Sequence, residues 1–413
     1  MRRIVLIHYN EIALKGRNRP FFERALLGNI KRALAGNPRT QRAEQSSYDG
    51  NPRVQRAEQS PHDGCAFKEA RIIFGRIVVW LEADADEKAI AEKLNKVFGI
   101  ANFSFSWEMP SEFSKISDEV LKILKEQEFK TFRVTARRAG AEFPMSAQEI
   151  NEKLGALIVE KLEKKVDLKN YDLNCYLEIV GNLVFFYLEK EKGLGGLPVG
   201  VSGKVLSLLS SGFDSPIASW QLMRRGCRVD FVHFHSYPQT SKESQENVKE
   251  LTKILNQYQA SSKLFLIPFL DIQKEISAKS EDASQRVVLY RRFMMRIAEK
   301  IAERERCGAL VTGDSLGQVA SQTLENIGVI SQATNMPIFR PLIGTNKDDI
   351  IDTTKKIGTY EISSHPYDDC CSLFLPEHPE TRAKLEVILE IEKNLDVEKL
   401  ISEAIGRMEI LEL

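Results

Sequence analysis

The sequence contains no run of about 18 consecutive apolar residues, the minimum for a membrane-spanning helix, so no membrane span is expected. It also lacks net charge, with 58 basic residues against 58 acidic ones. That excludes a uniformly basic surface. It does not exclude RNA, because phosphate contacts need only a local patch. Cysteine is scarce, six in 413 residues without framework spacing, which excludes a disulfide-stapled secreted fold and points to a reducing cytoplasm. The opening MRRIVLIHYNEIALKG has no small-residue cleavage site and runs straight into charged sequence, so Ile4–His8 reads as a strand rather than a signal peptide. Apolar residues make up 43%, enough for ordinary cores in two or three domains.

A tandem repeat interrupts the first part of the chain. Residues 37–50 read NPRTQRAEQSSYDG and residues 51–64 read NPRVQRAEQSPHDG, differing at three positions. Each copy is polar, bounded by Asn-Pro and Asp-Gly turn signals, and has no face to bury. It reads as a duplicated insert in a mobile surface loop. With it set aside, strand 4–8, helix 21–34, hairpin strands 70–74 and 76–81, helix 86–97 and strand 101–107 follow the β-α-β-β-α-β order of a ferredoxin-like domain. A second unit has helices at 114–127 and 146–164, strand 131–136, and a hairpin of 172–180 with 183–190. Ser146 and Glu149 form a capping box in this reading. The Gly- and Pro-rich KGLGGLPVGVSG (192–203) marks a boundary. Beyond it, strands at 205–209, 229–233, 264–268 and 309–311 alternate with helices at 217–224, 241–257, 286–304 and 347–356, the pattern of a doubly wound parallel sheet.

The first strand–helix junction of that sheet, VLSLLSSGFDSPIASW (205–220), passes from an apolar strand through small residues into a helix opening at Pro216, with Asp214 or Ser215 as cap. Small residues leave backbone amides free to face an anion, and the helix N-terminus adds favourable potential. An ordinary capped turn would look the same, and the local physics leaves both readings open. No GK[ST] follows, so this is not a Walker loop.

SSGFDS resembles the SGGxDS signature of the PP-loop ATP pyrophosphatases, with Ser211 where glycine is usual; serine there would be strained if the position needs a positive φ. Wider segments look like the tRNA 4-thiouridine synthetases. They are NEIALKGRNRPFF (10–22), FRVTARRAGAEFPMSAQEIN (132–151), EIVGNLVFFYLEKEKGLGGLPVG (178–200), LVTGDSLGQVASQTLENI (310–327) and IGTYEISSHPYDDCCSLFLP (357–376). At Gly140-Ala141-Glu142 a basic residue is commoner in the family. The resemblance implies an α/β and α+β multidomain chain: a ferredoxin-like domain over 1–109 carrying the 37–64 insert, a THUMP RNA-binding domain over 110–190, and a PP-loop ATP pyrophosphatase domain over 191–413. It implies an ATP-dependent tRNA sulfurtransferase that adenylates the uridine at tRNA position 8 and replaces O4 with persulfide sulfur, with a further link to thiamine thiazole sulfur. A 2-thiouridylase of the same loop family and a non-catalytic tRNA-binding protein are the alternatives.

Residue by residue, the resemblance places Leu208, Leu209, Ser210, Ser211, Gly212, Ser215, His233, Phe234, Arg291, Gly313 and Gln322 around ATP. These positions follow strand ends or open helices, where ligands bind in parallel sheets. Read without it, His233 is a satisfied core histidine and Arg291 a solvated helix arginine beside Arg292 and Arg296. Asp214 either meets Mg²⁺ carried by the nucleotide or caps the helix. The vicinal Cys370 and Cys371 are two small buried hydrophobes by composition. By resemblance they hold the catalytic thiol, with Cys371 favoured and Cys370 next. The chain ends at Leu413 without a rhodanese extension, so the expected sulfur source is a separate persulfide donor such as a cysteine desulfurase, with a sulfur-carrier protein as another. The scattered Cys65, Cys175, Cys227 and Cys307 indicate no protein metal site. Two basic clusters, Lys15, Arg17 and Arg19 and then Lys130, Arg133, Arg137 and Arg138, are the expected RNA contacts, with Arg133, Thr135 and Arg137 alternating onto one strand face. A homodimer is the expected assembly.

Overall fold

In the computed structural model, residues 1–35, 65–140, 143–365, 370, 373–374 and 376–413 are described. The 37–64 repeats and Cys371 lie outside them. The chain forms two compact units, Met1–Pro198 and Val199–Leu413.

The first unit is built on one nine-stranded sheet. Its strands are β1 (Arg2–His8), β2 (Phe67–Ile73), β3 (Arg76–Leu81), β4 (Asn102–Met109), β5 (Thr131–Ala139), β6 (Lys165–Val166), β7 (Leu173–Val180), β8 (Leu183–Tyr187) and β9 (Glu191–Lys192), in the order β2-β3-β1-β4-β8-β7-β5-β6 with β9 beside β4. The first four strands and helices Arg19–Ala35 and Glu87–Leu94 take the ferredoxin-like order. The sheet then continues without a break, because β4 pairs antiparallel with β8 at Trp107–Phe186 and Met109–Val184. One face packs under those two helices through Val5, Ile7 and Phe103. Farther along, the same face packs Phe132, Val134 and Ala136 with helices Phe113–Lys125 and Ala147–Leu162. The capping box at Ser146 and Glu149 is present. On the opposite face, Ile4, Leu6, Val78 and Trp80 cluster with Val180, Phe185 and Tyr187. Buried Glu178 sits on that face, accepting from His8 (3.0 Å), Arg76 (3.2 Å) and Tyr187 (3.0 Å).

The second unit holds a six-stranded sheet: β10 (Lys204–Leu208), β11 (Arg228–His235), β12 (Lys263–Pro268), β13 (Leu310–Val311), β14 (Ile338–Phe339) and β15 (Glu409–Glu412), ordered β14-β13-β10-β11-β12-β15. Five strands are parallel, as the βα alternation predicts, and the edge strand β15 runs antiparallel to β12. Helix Arg286–Arg304 supplies much of the core. Arg292 on it is not solvated. Its guanidinium is buried, forks onto Glu392 (2.8 and 3.1 Å) and donates to the Val329 carbonyl, clipping the late helix Leu385–Lys393 to the core. Arg296 joins the same carboxylate at 2.7 Å.

Candidate functional site

A cavity of about 340 Å³ opens at the carboxyl ends of β10, β11 and β13, where an open parallel sheet binds ligands. One wall is apolar: Leu208, Leu209, Val232, Phe234, Val287, Met294 and Met295. The other end is polar and contains Ser210, Gly212, Asp214, Ser215 and Gly313. An apolar slot for a flat base leading to a phosphate cradle is the division a nucleotide needs.

The loop is held in shape by its own serines. Ser215 Oγ accepts from the Ser210 amide (2.9 Å) and donates to the Ser210 carbonyl (3.1 Å), while the Gly212 amide donates to Ser210 Oγ (3.3 Å). Ser211 is fully buried, turns its hydroxyl to the Ser244 carbonyl (3.1 Å) and is not among the cavity-lining residues. Its φ is not positive, so serine in place of glycine carries no backbone strain here.

The capping expectation fails. The helix spans Asp214–Arg224, with Phe213 at its N-cap and no side-chain cap, so neither Asp214 nor Ser215 caps it. Pro216 stands third in the helix, still inside the first turn where no N–H is required. The uncapped first-turn amides remain for an anion. Asp214 lies within that turn, and its carboxylate accepts from Lys347 Nζ (2.7 Å) and Gln318 Nε2 (2.9 Å). Lys347 opens helix Lys347–Ile357, and its ammonium lies 5.5 Å from the centre of the Phe213 ring.

Gly313 shows why a glycine follows β13. A Cβ there would come within 2.8 Å of the Ser215 nitrogen and 2.9 Å of the Asp214 carbonyl carbon, both rigid backbone. His233 is buried, donating from Nδ1 to the Leu209 carbonyl (2.9 Å) with Nε2 3.4 Å from Ser244 Oγ; it is the satisfied histidine of the residue-only reading, and it also lines the cavity. Arg291 pairs with buried Asp314, which also accepts from Arg340 (3.1 Å) and Thr312 (2.8 Å). Burial raises the Asp314 carboxyl, but the two guanidiniums and the hydroxyl outweigh it and hold it below the usual carboxylate range. Arg291 is therefore a fixed cation at the cavity wall. Gln322 lines the cavity with its buried Oε1 free of a hydrogen-bond partner, an acceptor suited to an exocyclic amine.

Cys370 lines the same cavity. Its carbonyl accepts from Gln273 Nε2 (2.6 Å), and Gln273 is fully buried and takes a hydrogen bond from Ser236 (2.5 Å). Burial pushes the thiols of Cys175 and Cys307 up to about 12 and raises that of Cys227, which makes them inert packing residues. Asp314, Gln318, Lys347, Arg340 and Gln273 escaped the sequence reading. The signal for Asp314 was present in TGDSLG, beside Gly313.

The expected RNA contacts lie in the first unit. Lys15 is 3.7 Å from Glu11, and Arg17 is exposed. Arg19 serves structure as well, donating to Tyr9 (2.9 Å) and Glu23 (2.8 Å). Burial, then Glu23, push the Tyr9 phenol up to about 12. On β5, Arg133 lies over the Tyr171 ring, Arg137 and Arg138 are exposed, and Lys130 is exposed just ahead of the strand.

Three family descriptions match in chain order: "ThiI ferredoxin-like domain" over residues 4–48, "THUMP domain" over 110–189 and "Thiamine biosynthesis protein (ThiI)" over 200–397. The "Probable tRNA sulfurtransferase" of Coxiella burnetii is 40% identical, with 100% of each chain covered. That of Caldanaerobacter subterraneus is 41% identical, with 97% of each covered. A solved 4-thiouridine synthetase–RNA complex with bound ATP superimposes with a TM-score of 0.84 at 33% identity, covering 100% of both chains. With its ferredoxin-like, THUMP and PP-loop parts in this order, the chain belongs to the tRNA sulfurtransferase family.

Proposed function

We propose that this enzyme converts a uridine of tRNA, position 8 by family resemblance, to 4-thiouridine at the cost of ATP. The observation that carries the reading is the single cavity that combines the PP-loop, Arg291 and Cys370. The adenine lies along the apolar wall, and the phosphates meet the amides of Gly212–Ser215. Uridine O4 attacks the α-phosphate and pyrophosphate leaves. The terminal sulfur of a cysteine persulfide then attacks C4, and AMP departs with the former O4. A second thiol cleaves the resulting mixed disulfide, leaving C4=S on the RNA and a disulfide on the protein, which an external thiol reduces. Adenylation is needed because a carbonyl oxygen is otherwise a poor leaving group.

Asp214, a cavity-lining carboxylate held by Lys347 and Gln318 rather than by two arginines as Asp314 is, would meet a Mg²⁺ brought with the triphosphate. The ion would supply charge neutralisation at the phosphates. We assign the persulfide to the Cys370–Cys371 pair, Cys371 first, loaded by a separate donor such as a cysteine desulfurase. Lys15, Arg17, Lys130, Arg133, Arg137 and Arg138 contact RNA in this reading, and the enzyme acts as a cytoplasmic homodimer.

The test is thiolation of unmodified tRNA with ATP and a persulfide donor, followed by nucleoside digestion. The expected product is 4-thiouridine, with pyrophosphate released in step. A 2-thiouridine product, or no pyrophosphate, would refute the reading.

A further inference from the structure

The hairpin joining β2 to β3 turns through Phe74 (φ 41°) and Gly75 (φ 78°). Positive φ at both central residues makes a tight turn of the kind that favours Asn-Gly. A phenylalanine there is strained, since its Cβ crowds the backbone. The strain is not offset by burial, because Phe74 remains 59% exposed.

The surroundings are shaped for the ring. Gly140, just past β5, and Gly181, between β7 and β8, bracket it; a Cβ on Gly181 would come within 2.7 Å of the Phe74 ring, and one on Gly140 would overlap its opposite edge. Arg76 braces the turn from behind, donating to the Phe74 carbonyl (3.1 Å) while pairing with buried Glu178 (3.2 Å). Exposed Arg137 and Arg138 precede Gly140 on β5. A half-exposed aromatic ring on a fixed turn, with Arg76 at its carbonyl and the exposed Arg137 and Arg138 within three residues of Gly140, is what a nucleobase and its phosphate require. Stacking contributes contact without needing a particular base, and the cations hold the backbone.

Resting on the tRNA reading above, we infer that Phe74 is a stacking surface for an unpaired nucleobase of the RNA substrate, seated in the notch between Gly140 and Gly181. Bases within a duplex have both faces covered, so the site selects RNA that offers a free base.

The test uses the full chain with unmodified tRNA and with a blunt-ended, fully paired RNA duplex, by equilibrium binding at fixed salt. Phe74→Leu keeps the notch filled with apolar atoms but removes the π-face, and Phe74→Tyr restores it. Expected is about tenfold weaker tRNA binding for Phe74→Leu, wild-type affinity for Phe74→Tyr, and unchanged duplex binding and melting temperature for both. Wild-type tRNA affinity in Phe74→Leu, or equal losses on tRNA and duplex, would overturn the inference. If the unaltered protein does not bind tRNA, the reading it rests on fails instead.

Discussion

Lys347 Nζ lies 2.7 Å from Asp214, although the two residues are 133 positions apart in the chain. Asp214 lines the polar end of the cavity, and Lys347 reaches it from a second helix. In the proposed reaction this cation would meet the charge that builds on departing pyrophosphate. Lys347→Met should lower ATP-dependent pyrophosphate release about 100-fold, the loss typical of a removed transition-state donor. Asp214→Asn should lower it as well, and the double variant should fall short of the product of the two losses. Single-turnover assays with saturating tRNA would show this. An unchanged rate in Lys347→Met would reduce the pair to a structural clasp.

Gly313→Ala drives a methyl group against the Ser215 amide at 2.8 Å, and that backbone belongs to the phosphate loop. Overpacking of this kind costs about 1–3 kcal/mol. Both the melting temperature and ATP affinity should fall. ATP titration followed by calorimetry checks it, and wild-type affinity would mean the loop can withdraw freely.

Gln273 fixes the Cys370 carbonyl from inside the core. Gln273→Leu removes that donor and should slow sulfur transfer about tenfold, the scale of one buried hydrogen bond. Pyrophosphate release should persist, because the nucleotide's own contacts are untouched. Parallel losses in both steps would indicate general damage.

Burial raises the Glu178 carboxyl, but His8, Arg76 and Tyr187 outweigh that and bring it from an ordinary 4.5 to about 2. A depressed folded-state value means stability is fully present above about 4.5 and drains away as pH falls toward about 2. The shift corresponds to roughly 3 kcal/mol. Glu178→Gln should lower the melting temperature at pH 7, and the gap to wild type should narrow at pH 3. A constant gap would show that the charge plays no part.

The helices were legible from their 3.6 period and β5 from its alternation, while β1, β3, β10, β11 and β12, buried on both faces, showed as short apolar runs between turn signals. Strand β15 was not, since its side chains stay mostly exposed and only its backbone pairing to β12 holds it. The two-residue strands β6, β9, β13 and β14 are too short to carry a period, and β13 was found only through its apolar context. Helices Leu270–Lys279, Leu324–Ser331, Leu385–Lys393 and Val397–Gly406 lie beyond what the strand–helix alternation predicts. At the site, the local loop could be read from its small residues, and the resemblance supplied Gln322 and Arg291. Partners brought together only by folding could not be read, as Lys347 with Asp214 and Gln273 with Cys370 show. The helix starts at Asp214, ahead of the predicted opening at Pro216, because proline fits any place in a first turn, and Ser215 bonds Ser210 with its hydroxyl instead of capping.

The union of β4 with β8 makes the ferredoxin-like and THUMP segments a single hydrogen-bonded ribbon. Neither segment is an independent cassette. A chain cut after Met109 would bare the backbone of β4 on one fragment and of β8 on the other, two sticky margins that invite self-association. Transplanting either segment into another protein would thus require moving residues 1–198 together.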